Sequence, residues 1–485
     1  MRVTALARAA LASAGCISLA ACAVGPNFHA PPAPAVDHYT PGTQPSATVG
    51  SPGAGGAAQT LELGEDVPAS WWELFQSPAL DRLIQQALHD SPNLAAAEAT
   101  LRAARENYLA ERSALLPTVD AQAQATRERV PGAAFGLPSF PSSIFTLYDA
   151  AVNVSYRVDL FGASRRQLEA ERAQWDYERW ELEAARLSLI GNVVTTAIDA
   201  ASLQSQITAL TEALSTQRSQ LDVVQRQQHV GAASQADVLT QRGQVAQTEA
   251  SLPGLEKSLA QAQHRLAVLL GQPPAAGAPA LTLEDLHLPA ELPLSVPARL
   301  VRQRPDIRAS EAQLHQASAQ LGVATANLYP QLNLTGLIGT ESLAANELFK
   351  PGTAAWNIGG SLTQPLFHGG QLLAQRRAAA ANLDEAAAQY RETVLSALQE
   401  VADTLRALES DARALRSQAA AEQSAAGSLG IVGKQYQLGA VSYVTLLIAQ
   451  RQYAQAHQAR VQALAARFAD SATLLQALGG GWWNR

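Results

Sequence analysis

Cys16 and Cys22 are the only thiols in this 485-residue sequence, and both fall within its first two dozen residues. Two cysteines at one terminus build neither a disulfide framework nor a metal site. The nine histidines contain no i, i+4 pair, and no His, Cys or acidic cluster has ligand spacing, so no metal or other cofactor is expected. A Gly-rich phosphate loop and a nucleophile elbow are both missing, so the chain does not read as an enzyme. A net charge of -7, without a basic cluster interleaved with aromatics, argues against nucleic acid. What remains chemically distinctive is the Cys22 thiol, two glycines at Gly231 and Gly439, and the polar residues beside them.

Cys22 closes an apolar run from Ala9 to Ala21 that follows Arg2 and Arg8. The run is too short to span a bilayer and reads as a signal peptide over residues 1–21. Leu19, Ala20 and Ala21 precede the cysteine as in the lipobox of bacterial lipoproteins, where the thiol is diacylated and the cysteine becomes the new N-terminus. Ala23 in the next position, instead of Asp, matches outer-membrane sorting. Two lipid signals already anchor a protein stably, so a triacylated Cys22 would hold this one to membrane lipid. Residues 22–69 are rich in Pro, Gly, Ala, Ser and Thr, a composition that predicts a flexible tether, with the ordered fold starting near Trp71.

The elements that follow are of two kinds. Leu147 to Asp159 alternates Tyr148, Ala150, Val152, Val154, Tyr156 and Val158 against Asp149, Asn153, Ser155, Arg157 and Asp159, the period of a strand with one apolar face. Together with weaker alternation elsewhere, this predicts strands at about 117–130, 146–160, 330–342 and 354–365. Each has the length of a tilted membrane-spanning strand, although any one of them alone also suits the edge of a soluble sandwich. Tyr148, Phe145 and Trp356 are candidates for an aromatic belt. Between Arg165 and His229 there is no proline and a single glycine, which allows one helix of roughly 100 Å. Leu203, Ile207, Leu210, Leu214, Leu221 and Val224 keep heptad spacing there, with Gln217 at the missed position. Leu398, Val401, Leu405, Leu408 and Leu415 keep it in the second half, with Ala412 in the gap.

Heptads alone would suit a filament without a pore. The internal duplication decides otherwise. Glu98 to Leu101 and Leu116-Pro117 are answered 213 residues later by Glu311 to Leu314 and Tyr329-Pro330. Val230, Gly231 and Ala232 are answered 208 residues later by Leu438, Gly439 and Ala440. Each half therefore reads helix, strand, strand, long helix, glycine turn, long helix, over residues 70–290 and 291–481, with a short tail at 482–485. Four strands cannot close a barrel, and an open edge is forbidden in lipid. Three copies would supply an even, twelve-stranded barrel wide enough for water. The fold class predicted is a mixed α and β membrane protein, a trimeric β-barrel continued by a long α-helical coiled-coil barrel.

The stretch from Arg304-Pro305-Asp306-Ile307 to Asn327-Leu328-Tyr329-Pro330 resembles the signature segment of the TolC-type outer-membrane efflux proteins. More narrowly it is similar to the NodT-like lipoproteins of resistance-nodulation-division systems. Gly25-Pro26-Asn27-Phe28 and Ser70-Trp71-Trp72-Glu73-Leu74-Phe75 extend the resemblance over nearly the whole mature chain. It implies a homotrimeric export duct in the outer membrane, engaged by a periplasmic adaptor protein and an inner-membrane pump. Val230, Gly231 and Ala232 with Leu438, Gly439 and Ala440 would then be adaptor-contacting tips. Members often place an acidic ring just past the second turn. Thr445 and Ile448 occupy those positions here, and Asp237 in the other hairpin is the only nearby acid. A polar and apolar constriction formed by Thr445, Leu446, Leu447, Ile448 and Asp237 is therefore expected, with Tyr436, Tyr443 and Arg451 tying neighbouring helices. A duct of another exporter class and a pore-free periplasmic scaffold are the alternatives.

Overall fold

The computed structural model describes residues 23–42, 46–131, 141–277 and 279–484. The signal segment and Cys22 lie outside the described residues, as do Gly132, Gly136 and Pro138, whose types suit a turn between the first two predicted strands. In chain order the elements are β1 (Thr60–Leu63), α1 (Pro78–Asp90), α2 (Pro92–Ser113), β2 (Thr118–Val130), β3 (Ser143–Val158), α3 (Ala163–His229) and α4 (Gln235–Leu269). They continue as β4 (Glu291–Leu294), α5 (Pro297–Gln303), α6 (Pro305–Ala326), β5 (Gln331–Ser342), β6 (Ala354–Thr363), α7 (Gln371–Gln437) and α8 (Tyr443–Ala477). The duplication is visible in element lengths: α2 and α6 each have 22 residues, α3 and α7 each 67, α4 and α8 each 35.

The chain divides into two units. One, comprising Met1–Pro31, Thr100–Glu178 and Ser310–Tyr390, carries an antiparallel sheet in the order β2-β3-β5-β6, with β2 and β6 as its edges. The start of the described chain is pinned onto this unit. Val24 N donates to Phe161 O at 3.1 Å. The Arg166 guanidinium donates to Val24 O, Gly25 O and, at 2.7 Å, Asn27 Oδ1. Phe28 stacks on His315 with 4.3 Å between centroids.

The other unit, Pro32–Ala99 with Arg179–Ala309 and Arg391–Arg485, holds most of the helical hairpins. Its heptad seam is a true core: Val401, Leu408 and Ala412 are at most 1% exposed, and Leu405 and Leu415 are also buried. Arg304 of the signature segment bonds Asp306, Glu400 and the Ala477 carbonyl, so one side chain ties the start of α6 to α7 and to the end of α8. Trp482 meets Trp180 edge to face at 5.0 Å and donates to Gln303 O, so the expected tail is packed.

The expected flexible tether is corrected by two observations. β1 pairs in parallel with β4, and residues 46–59 wrap onto α8. Arg467 is fully buried and donates to Gln59 Oε1, Thr48 Oγ1 and the carbonyls of Gly55 and Ala57. Gln59, also fully buried, donates in turn to Pro289 O and Ser471 Oγ. A Gly- and Ser-rich segment cannot order itself by burying apolar surface, but its backbone carbonyls satisfy a buried guanidinium. The ordered fold therefore starts well before Trp71.

Asp470 on α8 is pushed up to about 7, first by burial and then by its hydrogen bond with Asp411 on α7 and that neighbour's charge. An acid whose folded pKa lies above its unfolded value binds more protons when folded, so its contribution to stability is lost as pH rises from about 4 through 7. Replacing it, Asp470→Asn, should raise thermal stability at pH 8 by about 1 kcal/mol after solvent screening and leave pH 3 nearly unchanged. Melting curves at the two pH values check this.

Candidate functional site

The sheet shows its purpose in its register. Val119, Val154, Gly336 and Ile358 lie across the four strands in one row, and Ala121, Val152, Ile338 and Trp356 in the next row of the same parity. The opposite face carries the rows Thr118, Ser155, Thr335, Gly359 and Asp120, Asn153, Leu337, Asn357. One face is thus apolar across all four strands while remaining open: Ile338 is 68% exposed, Trp356 73% and Ile358 83%. Strands of 10 to 16 residues match the span of a tilted membrane strand. Among the described residues no helix is long and apolar enough to cross a membrane. Tyr148 and Trp356 share the apolar face. Phe145 pairs with Glu128 three residues from Tyr148, on the opposite parity, and is removed from the expected belt.

The two hairpin tips are built alike. α3 ends at Gly231, at φ 76°, where Ala232 N returns to Gln227 O at 2.8 Å; α7 ends at Gly439, at φ 74°, where Ala440 N returns to Gln435 O at 2.8 Å. Both turns require a left-handed residue, which is why glycine stands there. Ser234 and Ser442 then cap α4 and α8. Asp237 closes a capping box with Ser234, whose hydroxyl and N–H hold its carboxyl below the usual range. Thr445, its equivalent in the second repeat, fills the same slot, with its hydroxyl 3.0 Å from Ser442 Oγ. Val230 and Leu438 stand 80% and 84% exposed at the tips, uncommon for large apolar residues.

The expected constriction residues divide. Leu446 and Leu447 are buried in one cluster with Val224, Val238 and Tyr443, so they join the two hairpins and line no open surface of the chain. Thr445 and Ile448 are exposed, three residues apart on one face of α8. Tyr436 and Tyr443 do come together, with centroids 5.5 Å apart, and Tyr436 OH donates to Gln227 Oε1 at 3.2 Å. Gln227, from the other repeat, was not anticipated; the signal available was a polar residue at the end of α3 facing a tyrosine that needs an acceptor. Arg451 is exposed on the face that carries Thr445 and Ile448. Burial raises the Tyr443 hydroxyl well above its ordinary pKa, and that oxygen has no hydrogen-bond partner among the described residues. No group of His, Cys, Asp and Glu among the described residues has the geometry to hold a metal ion.

The division gives a test. Leu447→Ala should cost about 3 kcal/mol by opening a cavity in the shared cluster, whereas Ile448→Ala should stay within about 0.5 kcal/mol of the parent. Denaturant unfolding of both variants measures the difference.

Comparison with known proteins agrees with these features. The model of the family "Outer membrane efflux protein" matches twice, over residues 83–272 and 296–480. The pyoverdine export outer membrane protein OpmQ of Pseudomonas putida is 30% identical over 440 residues, covering 89% of this chain and 92% of that protein. The antibiotic efflux pump outer membrane protein ArpC of Pseudomonas putida is 29% identical over 472 residues, covering 96% and 94%. The solved outer-membrane channel OprN superposes with a TM-score of 0.85 at 28% identity, covering 95% of this chain and all of that one.

Proposed function

The chain belongs to the outer membrane efflux protein family, and from that premise we propose that it is the passive exit duct of a tripartite efflux pump. It is an outer-membrane component of an efflux system, as its relatives are. The observation that carries the mechanism is the apolar face that runs in register across four strands whose two outer edges have no partner among the described residues. In hydrocarbon an unpaired strand edge costs several kcal/mol per backbone group, so β6 of one copy must pair with β2 of the next. Three copies then close a twelve-stranded barrel with the Asn, Ser, Thr and Asp face toward a water-filled lumen. A pore-free scaffold would have no use for that apolar face.

The repeat says how the seam should look. Within one chain β3 joins the first repeat to β5 of the second, and Phe161 stacks on Tyr329 at 4.8 Å below that junction. Their repeat equivalents, Phe367 and Leu116, are 88% and 64% exposed in the single chain. Phe367 of one copy therefore packs on Leu116 of the next. With Phe367→Cys and Leu116→Cys combined, a short bismaleimide should convert monomers into a covalent trimer. Ladders that stop at a dimer, or no product, would contradict three-fold closure.

The hairpin tips face the periplasm and dock an adaptor protein through Val230, Gly231 and Ala232 and through Leu438, Gly439 and Ala440. An inner-membrane pump of the resistance-nodulation-division type supplies the energy. The cargo is a class of small molecules, in keeping with relatives named for pyoverdine and for antibiotics. The constriction is made by Thr445 and Ile448 of α8 with Asp237 of α4 beside them, and the role once expected of Leu446 and Leu447 is structural. A ring of isoleucines resists ions by dewetting, and the charge beside it is that of the Asp237 carboxylate. Three copies of Ile448→Asp should add to the Asp237 carboxylates and raise cation selectivity, read as a shift in reversal potential across a salt gradient in planar bilayers. An unchanged reversal potential would move the constriction elsewhere.

A further inference from the structure

The apolar sheet face is not smooth. Gly336 on β5 interrupts it, flanked by Val154 and Ile358 in its own row and by Val152, Ile338 and Trp356 in the next, and with Leu337 and Asn357 they border an open notch of about 330 Å³. A glycine inside a strand weakens it and needs a reason. Gly339 on the same strand has one, since a Cβ there would lie 2.4 Å from the Ala150 carbonyl oxygen. Gly336 has none of that kind: a Cβ would meet nothing within 4 Å, and its backbone is not left-handed. The hollow is therefore kept by the absence of a side chain that would fit, which is the pattern of a surface reserved for something that approaches closely.

We propose that this notch seats an acyl chain, and that its occupant is one of the chains carried by Cys22 of the same molecule; this rests on the lipid-anchor reading of that cysteine. Position argues for that occupant. The described chain begins at Ala23, whose Cα lies 2.8 Å from where a Gly162 side chain would start, and Val24 is bonded to Phe161, just past the end of β3. Arg166 clamps the next carbonyls and Asn27, so the anchor point cannot drift. Val154 and Gly336 lie four residues along their strands from the Val158 and Leu332 pair that ends the ladder on that side. At about 3.3 Å per residue and a tilt of about 40°, the notch stands roughly 10 Å above the helix-side end of the strands. One leaflet is about 15 Å deep, so an acyl chain starting at residue 22 passes this height. The notch walls are apolar side chains and the floor is the bare Gly336 backbone, which suits a polymethylene chain and offers nothing to a headgroup.

The test uses cells fed a diazirine-bearing palmitate analogue, photolysis of the assembled protein in its membrane, and mapping of crosslinked peptides by mass spectrometry. Crosslinks should concentrate on residues 152–154, 336–338 and 356–358. They should vanish in a Cys22→Ser form exported behind an ordinary secretory signal. In the lipidated Gly336→Leu protein, with trimers intact, their yield at the notch should fall about ten-fold, the equivalent of losing contact with about two methylenes. Labelling spread evenly over the apolar face would overturn the proposal, and so would notch labelling that survives Cys22→Ser, which would assign the seat to a membrane phospholipid. The mass of the N-terminal peptide separates this failure from that of the anchor itself: an unacylated Cys22 ends both, an acylated one with no notch crosslinks ends only the seat.

Discussion

Every peptide group that enters hydrocarbon must find its hydrogen bond within the protein, and this constraint governs the molecule. The four strands satisfy each other through three antiparallel ladders and leave β2 and β6 with open edges. No rearrangement of one chain repairs that, because four strands are too few to close. Oligomerisation is thus a condition of membrane residence and not an addition to it. The same constraint fixes the two faces: alternation along each strand matters only because the ladders hold Val119, Val154, Gly336 and Ile358 in one row, so that apolar residues from four separate segments make one surface.

Duplication meets this constraint economically. α2 and α6, α3 and α7, and α4 and α8 agree in length, so one repeat presents strands and helices at the same spacing as the other. The junction between the repeats would then be a template for the proposed junction between copies. Where the repeats differ, the difference marks a task that only one of them has. Asp237 and Thr445 hold the same capping position, yet only the first repeat spends a carboxylate there. Phe161 has Tyr329 beneath it in the same chain, whereas Phe367 has an open face.

Much of this was legible in the residues. Strict alternation from Tyr148 to Val158 placed β3 to within a few residues, and the proline-free run after Arg165 placed α3, because both patterns report which face is buried. Three features were not legible, each for a physical reason. Residues 46–64 have the composition of a tether, and their order comes from Arg467, more than four hundred residues away, bonding carbonyls that composition does not register. Phe145 lies where alternation is diluted by Ser142, Ser143 and Thr146, and only the pairing with Glu128 gives its parity. Leu446, Leu447 and Ile448 are consecutive apolar residues on a helix, so they point in three directions; contacts decided that the first two belong to the core.

That last division bears on how the proposed gate would work. An acidic ring restrains flow by charge, which acts across several ångströms and tolerates imperfect closure. The Thr445 and Ile448 side chains of the proposed ring are neutral and would have no such reach, since dewetting requires the walls to stand close. Closure must then be enforced by the packing behind the ring. That packing is the cluster of Val224, Val238, Tyr443, Leu446 and Leu447, which contains residues of both hairpins. Moving the second hairpin, α7 with α8, outward without moving the first would break this cluster and separate Tyr436 on α7 from Gln227 on α3. The two hairpins of one chain are therefore coupled at the tip, and a proposed adaptor that shifts either one would act on the proposed constriction through a shared apolar contact.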